Sequence, residues 1–434
     1  MRASFLAAWV AITLPCTVAA QQPVHPPLTL AQAMALGRER GIAAVLARLN
    51  LDAARRRVAQ RRGDLLPLIT AGASITQQTL NLDEFGIPVA TGVTDPFTLY
   101  NLQVRASQTV FDASLISRLH AATDSAAAAG YDARAVGGFA AATAGFAYLR
   151  VLGVEETVRA RLQDSIVATT LLDAARRQFN AGVSPVIDVT RNEVNLAGVL
   201  TQLVVARNLA DRARLDLARA LDLPPGSRIE LADSLTAAAL DIPASTEEAI
   251  AFARTHRAEI LAEDQRTRAV SRSVRAIWNE NLPTLAVSGR YAWSGRETGS
   301  LKDTYLLQVQ LTVPILDGFK RQNRHREGEI RLESQLVHQH DVATQVETEV
   351  RQAFLDLASA TRQVDLTVER LRLAELELTQ AEERFRAGVT GSVETTTAQG
   401  TVIFARDGQI QARLNLASAR VSAYRALGVL EDVR

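Results

Sequence analysis

Arg177-Gln178-Phe179-Asn180-Ala181-Gly182-Val183 returns later in the chain as Arg384-Phe385-Arg386-Ala387-Gly388-Val389. Working outward, Thr109-Val110-Phe111-Asp112 is answered by Pro314-Ile315-Leu316-Asp317, and Leu66-Pro67 by Leu282-Pro283. Phe179 and Phe385 stand 206 residues apart, Asp112 and Asp317 205, Pro67 and Pro283 216. Three landmarks repeated in one order predict a duplicated unit of roughly 200 residues. The expected division is 21–226 and 227–434, behind a separate segment 1–20. Function is expected where the two halves correspond.

Around each repeated turn the sequence reads as long helix. The tracts 114–181 and 320–387 contain no proline, and at 1.5 Å per residue each would reach about 100 Å, far beyond the needs of a compact domain. Within the second tract Val346, Val350, Ala353, Leu357, Ala360, Val364, Val368, Leu371, Ala374 and Leu378 recur at steps of three and four. That is a narrow coiled-coil seam with small residues that permit close approach. Each tract meets a glycine, Gly182 or Gly388, which can take the left-handed conformation that ends a helix and reverses the chain. A second helix follows to about residue 221 or 427. The expected products are two helical hairpins, 114–221 and 320–428. Upstream of each lies another helix, 28–63 and 245–281, begun by a Thr29/Gln32 capping box and by Ser245-Thr246-Glu247-Glu248 and ended before Pro67 and Pro283.

Between these helices the period changes to two. Ile69, Ala71, Ala73 and Ile75 alternate with Thr70, Ser74 and Thr76, and Tyr100, Leu102 and Val104 with Asn101, Gln103 and Arg105. Leu285, Val287, Tyr291 and Trp293 alternate with Thr284, Ser288 and Arg290, and Tyr305, Leu307, Val309, Leu311 and Val313 with Leu306, Gln308, Gln310 and Thr312. Four strands are predicted in two pairs, 67–111 and 283–316, each with one apolar and one polar face. At about 10 to 13 residues each can cross an outer membrane when tilted, with Tyr100, Tyr291, Trp293 and Tyr305 placed for an aromatic girdle. Four strands cannot close a membrane barrel, whose smallest examples have eight, and an open sheet in lipid would expose unpaired backbone groups. Oligomerisation follows from this alone: two copies supply eight strands, three supply twelve.

The N-terminus sets the compartment. Arg2 precedes an apolar run over 5–14, and small residues lead to Ala19-Ala20, so a signal peptide 1–20 is expected, with Gln21 as the mature start. The competing reading, lipidation of Cys16, fits poorly with Thr13-Leu14-Pro15 before it. Cys16 is the single cysteine, which leaves the mature chain without disulfide or thiol chemistry. The formal net charge is +1, which argues against a nucleic-acid partner. After the signal no run of 18 or more apolar residues appears, so a membrane would be crossed by strands.

With these motifs in place the chain resembles the TolC-type outer-membrane factor family. Its marks are the aromatic-x-Ala-Gly-Val turns ending at Val183 and Val389, and the strand-to-helix junctions Val110-Phe111-Asp112 and Val313-Pro314-Ile315-Leu316-Asp317-Gly318. The resemblance covers about 28–430. It departs at Leu316, where the family has an aromatic residue, and at Ala113, where glycine is usual. It implies a mainly α fold with a transmembrane β-barrel contribution: a duplicated helix–strand–strand–helix repeat, long coiled-coil hairpins, and a trimer with a 12-stranded barrel and an α-helical periplasmic tunnel. The implied role is a passive exit duct of a tripartite efflux or type I secretion system, with a homotrimer, a periplasmic adaptor (membrane fusion) protein and an inner-membrane pump of RND, ABC or MFS type as partners. No cofactor is implied. The competing readings are a periplasmic adaptor or a coiled-coil scaffold without a pore; against the adaptor stand two hairpins and four amphipathic strands.

The resemblance also implies site residues. Acidic side chains past the tip turns narrow the periplasmic mouth, and the matching positions are Asp188 and Glu394, each six residues beyond its glycine. In a trimer they would form two acidic rings that favour cations. The simpler reading is a pair of first-turn acids facing helix N-termini, and one carboxylate can do both. Thr397 stands where the family has a second acid and Thr390 where some members have a basic tie, so the gate is expected to be held differently. The tip turns, with Phe179, Gly182 and Val183 and with Phe385, Gly388 and Val389, are the candidate adaptor contacts. Lys320, Arg321, Arg324 and Arg326 either meet outer-membrane lipid phosphates or form a solvated face. His338 and His340 lie on different helix faces without a zinc-like cluster, and no GxSxG, HExxH or phosphate-loop pattern appears, so neither metal nor catalysis is expected.

Overall fold

The computed structural model describes residues 27–85, 92–235 and 245–429. The expected signal peptide 1–20 with Cys16, residues 86–91 in the first inter-strand loop, 236–244 between the repeats and 430–434 lie outside them. Chain order is α1 (Leu30–Arg40), α2 (Ile42–Gly63), β1 (Leu68–Gln78), β2 (Phe97–Phe111), α3 (Ala113–Asn180), α4 (Val186–Ala220), α5 (Thr246–His256), α6 (Ala258–Asn279), β3 (Thr284–Gly295), β4 (Lys302–Thr312), α7 (Lys320–Arg386) and α8 (Ser392–Leu427). The fold class is the one the periodicities predict: mostly helix, with four strands set between helices.

Upstream of each strand pair the sequence predicts one helix, and the structure has two. Gly41 (φ −52°, ψ 131°) separates α1 from α2, and Arg257 (φ −65°, ψ 122°) separates α5 from α6. The breaks are 216 residues apart, the spacing of Pro67 and Pro283, so the kink belongs to the repeat. Its causes differ. In the first copy Gly37 and Gly41 lie against α3, where a Cβ at Gly37 would come within 2.4 Å of the Ala144 Cβ. In the second, Arg257 is 3% exposed. Its Nη1 donates to the carbonyls of Arg425 (3.0 Å) and Ala426 (3.2 Å) at the end of α8, and its Nη2 to Glu349 of α7 (2.8 Å). A guanidinium thus satisfies carbonyls that a helix C-terminus leaves open.

The strands form one antiparallel sheet in the order β1-β2-β3-β4, leaving β1 and β4 as edges. Register aligns the predicted faces: Ala73 opposes Leu102, Leu102 opposes Trp293, and Tyr291 opposes Tyr305. One face is therefore apolar across all four strands, and its aromatic residues gather toward the hairpin ends.

Below the sheet the helices stand in a row. In the upper part α3 touches α2 and α6, and α6 touches α7; in the lower part α3 touches α4 and α8, and α8 touches α7. The row order is α2–α3–α6–α7 above and α4–α3–α8–α7 below. Where the two parts meet, Tyr148 is fully buried among Ala33, Met34, Leu217 and Leu221. Its hydroxyl lies 2.8 Å from the Leu28 carbonyl and 3.0 Å from Asp233 Oδ2, and burial pushes its pKa above the ordinary phenol value. The α3 helix contains an 18-residue window apolar enough to span a membrane, yet 56% of that window is buried; its alanines and glycines serve helix packing. In α7 the seam runs as expected except at Val368, which is 44% exposed.

Candidate functional site

The two hairpin tips close with the same hydrogen bonds. Gly182 N donates to the Phe179 carbonyl (2.9 Å) and Val183 N to that of Gln178 (3.0 Å); Gly388 N donates to Phe385 (3.0 Å) and Val389 N to Arg384 (3.0 Å). Gly182 and Gly388 have φ of +68° and +70°, the left-handed cap that glycine alone takes without strain. Val183 and Val389 are exposed beyond them. The aromatic residues part company: Phe179 is 44% exposed and Phe385 only 2%. Phe385 is therefore corrected from a surface contact to a core side chain, and the Gln178 amide of the first hairpin donates to its carbonyl (2.8 Å).

The acids part company as well. Asp188 occupies the first turn of α4 yet is 4% exposed. Its Oδ1 accepts from the Ser392 hydroxyl (2.6 Å), the Ser392 backbone N–H (3.4 Å) and Arg191 Nη1 (3.2 Å). Ser392 is the first residue of α8, whose cap residue Gly391 has no side chain to offer. One carboxylate thus faces the N-termini of two helices from different hairpins, where helix dipoles favour negative charge. Arg191 Nη1 also donates to the Ser392 hydroxyl (3.2 Å), and Asn192 to the Asp188 carbonyl (2.8 Å). Glu394 remains half-exposed and lies 3.4 Å from Arg384 of α7, within its own hairpin. Thr390 is half-buried and Thr397 exposed. Among the described residues no hydrogen bond or ion pair joins Asp188 to Glu394, Thr390 or Thr397.

A second link between hairpins, absent from the sequence reading, lies higher up. Arg161 pairs with Asp164 (2.9 Å) and reaches Asp407 of α8, while Arg406 reaches back to Asp164. Gln399 donates to the Asp164 carbonyl (3.2 Å) and accepts from Asn195 (2.8 Å). Asp164 is buried, and burial raises its pKa above the ordinary 3.8 even against the two guanidiniums. At the sheet end, Arg321 is buried on Asp317 (2.8 Å) and the Glu280 carbonyl (3.2 Å), and Arg118 and Arg324 converge on the Glu280 side chain. Two of the four basic residues placed there by sequence are thus held by acids.

The profile of the outer membrane efflux protein family matches residues 33–222 and 249–429, both halves of the duplication. The chain belongs to that family. Its efflux-protein fold covers 92% of this chain and 89% of the outer-membrane channel OprN, at 20% identity and a TM-score of 0.80. Against the Campylobacter jejuni CmeC outer membrane channel the values are 92%, 85%, 15% and 0.80, and against the outer membrane protein VceC of Vibrio cholerae 92%, 96%, 16% and 0.80. Protein CyaE of Bordetella pertussis is 23% identical over 291 residues, and the match spans 65% of this chain and 61% of that relative. This efflux protein is accordingly an outer-membrane protein, and two of the proteins it matches in fold, OprN and CmeC, are outer-membrane channels.

Proposed function

We propose that this efflux protein is the outer-membrane exit duct of a tripartite efflux or type I secretion system. Three copies close a twelve-stranded barrel and a helical tunnel, and cargo arrives from an inner-membrane pump through a periplasmic adaptor. The two repeats, 21–226 and 227–434, give each copy two strand pairs and two hairpins.

What carries this reading is the open row. The sheet ends in unpaired edges at β1 and β4, which lipid does not tolerate, and the helix row ends in α7 on one side and in α2 above and α4 below on the other. Those ends bear matched apolar residues. Measured from the adjoining tips at ~1.5 Å per residue, exposed Leu200 and Leu215 of α4 lie level with exposed Leu373 and Leu355 of α7, which share one face of that helix. Measured from the sheet, Leu46 and Leu49 of α2 lie level with Val337 and Leu336 of α7, all four exposed.

At the mouth, Asp188 acts as a tie that holds α8 to α4, and Glu394 supplies the acidic ring, with Thr397 on the same helix edge and Thr390 beside the turn. Phe179, Gly182, Val183, Gly388 and Val389 present the adaptor-contact surface.

The test is a pair of cysteines, since the mature chain has none of its own. Leu200→Cys with Leu373→Cys should give a disulfide-linked trimer on a non-reducing gel, and purified protein should conduct ions in planar bilayers. Monomer alone together with silent bilayers would end the proposal.

A further inference from the structure

The polar face of the sheet carries positive charge only. In register, Arg105 of β2 stands directly opposite Arg290 of β3, flanked at the same level by Thr70 of β1 and Leu306 of β4. Both arginines are exposed, and neither has an ion-pair partner among the described residues. Lys302 of β4 opposes Ser294 on the same face nearer the hairpin ends. The remaining charged residue on the four strands, Asp303, belongs to the apolar face and accepts from the Tyr291 hydroxyl (2.8 Å). The other polar-face residues include Thr70, Ser74, Asn101, Gln103, Ser107 and Gln308, all uncharged.

Like charges directly opposite across a strand pair weaken a sheet, and the neutral amides and hydroxyls around them show that charge is not needed to wet this face. With the apolar face toward lipid, the polar face lines the lumen. Twelve strands about 4.8 Å apart and tilted about 40° enclose a backbone radius of about 12 Å, and long arginine stems carry their guanidiniums well into it. Three copies would put six guanidiniums at one level and three ammoniums above them. A ring of one sign in a low-dielectric wall focuses its field and selects counter-ions, and guanidinium forks match oxyanions bidentately.

We infer that the barrel lumen is a cationic collar, formed by Arg105 and Arg290 and extended by Lys302, that binds passing oxyanions bearing phosphate, sulfate or carboxylate groups and makes the exit end anion-favouring. The collar rests on the trimeric barrel proposed above.

The experiment uses the full mature protein in planar bilayers under a KCl gradient. The double variant Arg105→Gln/Arg290→Gln should raise the potassium-to-chloride permeability ratio by at least about threefold, and Arg105→Lys/Arg290→Lys should keep the wild-type ratio. Inorganic tripolyphosphate added on the barrel side should block wild-type current and spare the glutamine variant. Wild-type pores that tripolyphosphate leaves untouched overturn the collar, as does an unchanged ratio in the glutamine variant. If the glutamine variant forms no pores, the wild-type block decides. Absence of wild-type pores would instead overturn the duct.

Discussion

The carboxylate of Asp188 accepts a 2.6 Å hydrogen bond from the hydroxyl of Ser392, 204 residues away. It is one of the points where the two hairpins of one chain are fastened at their tips, and this fastening is buried. A charge-assisted hydrogen bond of this kind contributes about 1.5–3 kcal/mol.

Asp188→Ala should release α8 from α4. Single-pore conductance should rise above wild type. Equal conductance in Asp188→Ala and wild type would remove the tie from any role in closing the mouth.

Glu394→Ala should reduce cation preference with little change in stability, because its pairing with Arg384 is half-exposed and such pairs contribute little. Reversal potentials measured with the mouth facing the dilute side read this directly. A preserved preference returns Glu394 to a helix-terminus acid.

Arg257→Ala should be the most damaging of these substitutions, by about 3 kcal/mol or more, since it strips a buried charge partner from Glu349 and the cap from α8. Arg257→Lys should rescue poorly, because an ammonium cannot span both helix carbonyls and the carboxylates. Thermal melting of detergent-solubilised protein distinguishes the three, and a fully restored Tm in the lysine variant would contradict the fork geometry.

Asp164 gives a pH signature. Its folded pKa is raised above 3.8 by burial, so the folded state holds the proton more tightly than the unfolded chain. Its contribution to stability is complete below the unfolded value and is lost as pH rises through the folded one. Relative to Asp164→Asn, wild-type protein should therefore lose stability with rising pH across that window. Parallel melting curves of the two proteins over the same pH range would show that Asp164 titrates normally.

Gly37→Ala should cost about 1–3 kcal/mol by overpacking, because the new methyl would meet Ala144 and the Ala140 backbone. Gly408→Ala, in open space on α8, should be neutral or gain about 0.5–1 kcal/mol. The order of the two melting temperatures is the check.

What the sequence made legible is local chemistry repeated. Gly182 and Gly388 mark their turns because only glycine suits that backbone, and Leu102 or Val309 reveal a strand by alternation with their neighbours. The helix breaks were not legible: Gly41 sits in an unbroken helical pattern, and Arg257 carries no breaking signal at all, since its partners lie on α7 and α8. Phe179 and Phe385 have nearly the same neighbours in sequence and opposite burial, a difference made by packing between hairpins. The same holds for Asp188 and Glu394. Their equal spacing from a glycine predicts equal roles, while Ser392, which separates those roles, is distant in sequence from Asp188. Arg191, which differs from its counterpart Thr397, was the available clue.

The α7 helix occupies one end of the helix row over its whole length, whereas the opposite end is shared between α2 and α4. In a closed ring each α7 would therefore be gripped by two separate helices of its neighbour. A one-residue insertion in α2 or α4 would rotate one grip by about 100° and leave the other intact. The same insertion near the start of α7 would carry both out of register together. In such a ring, tolerance to length change would be concentrated in the first half of the chain, and the second half would be the ruler against which neighbouring copies align.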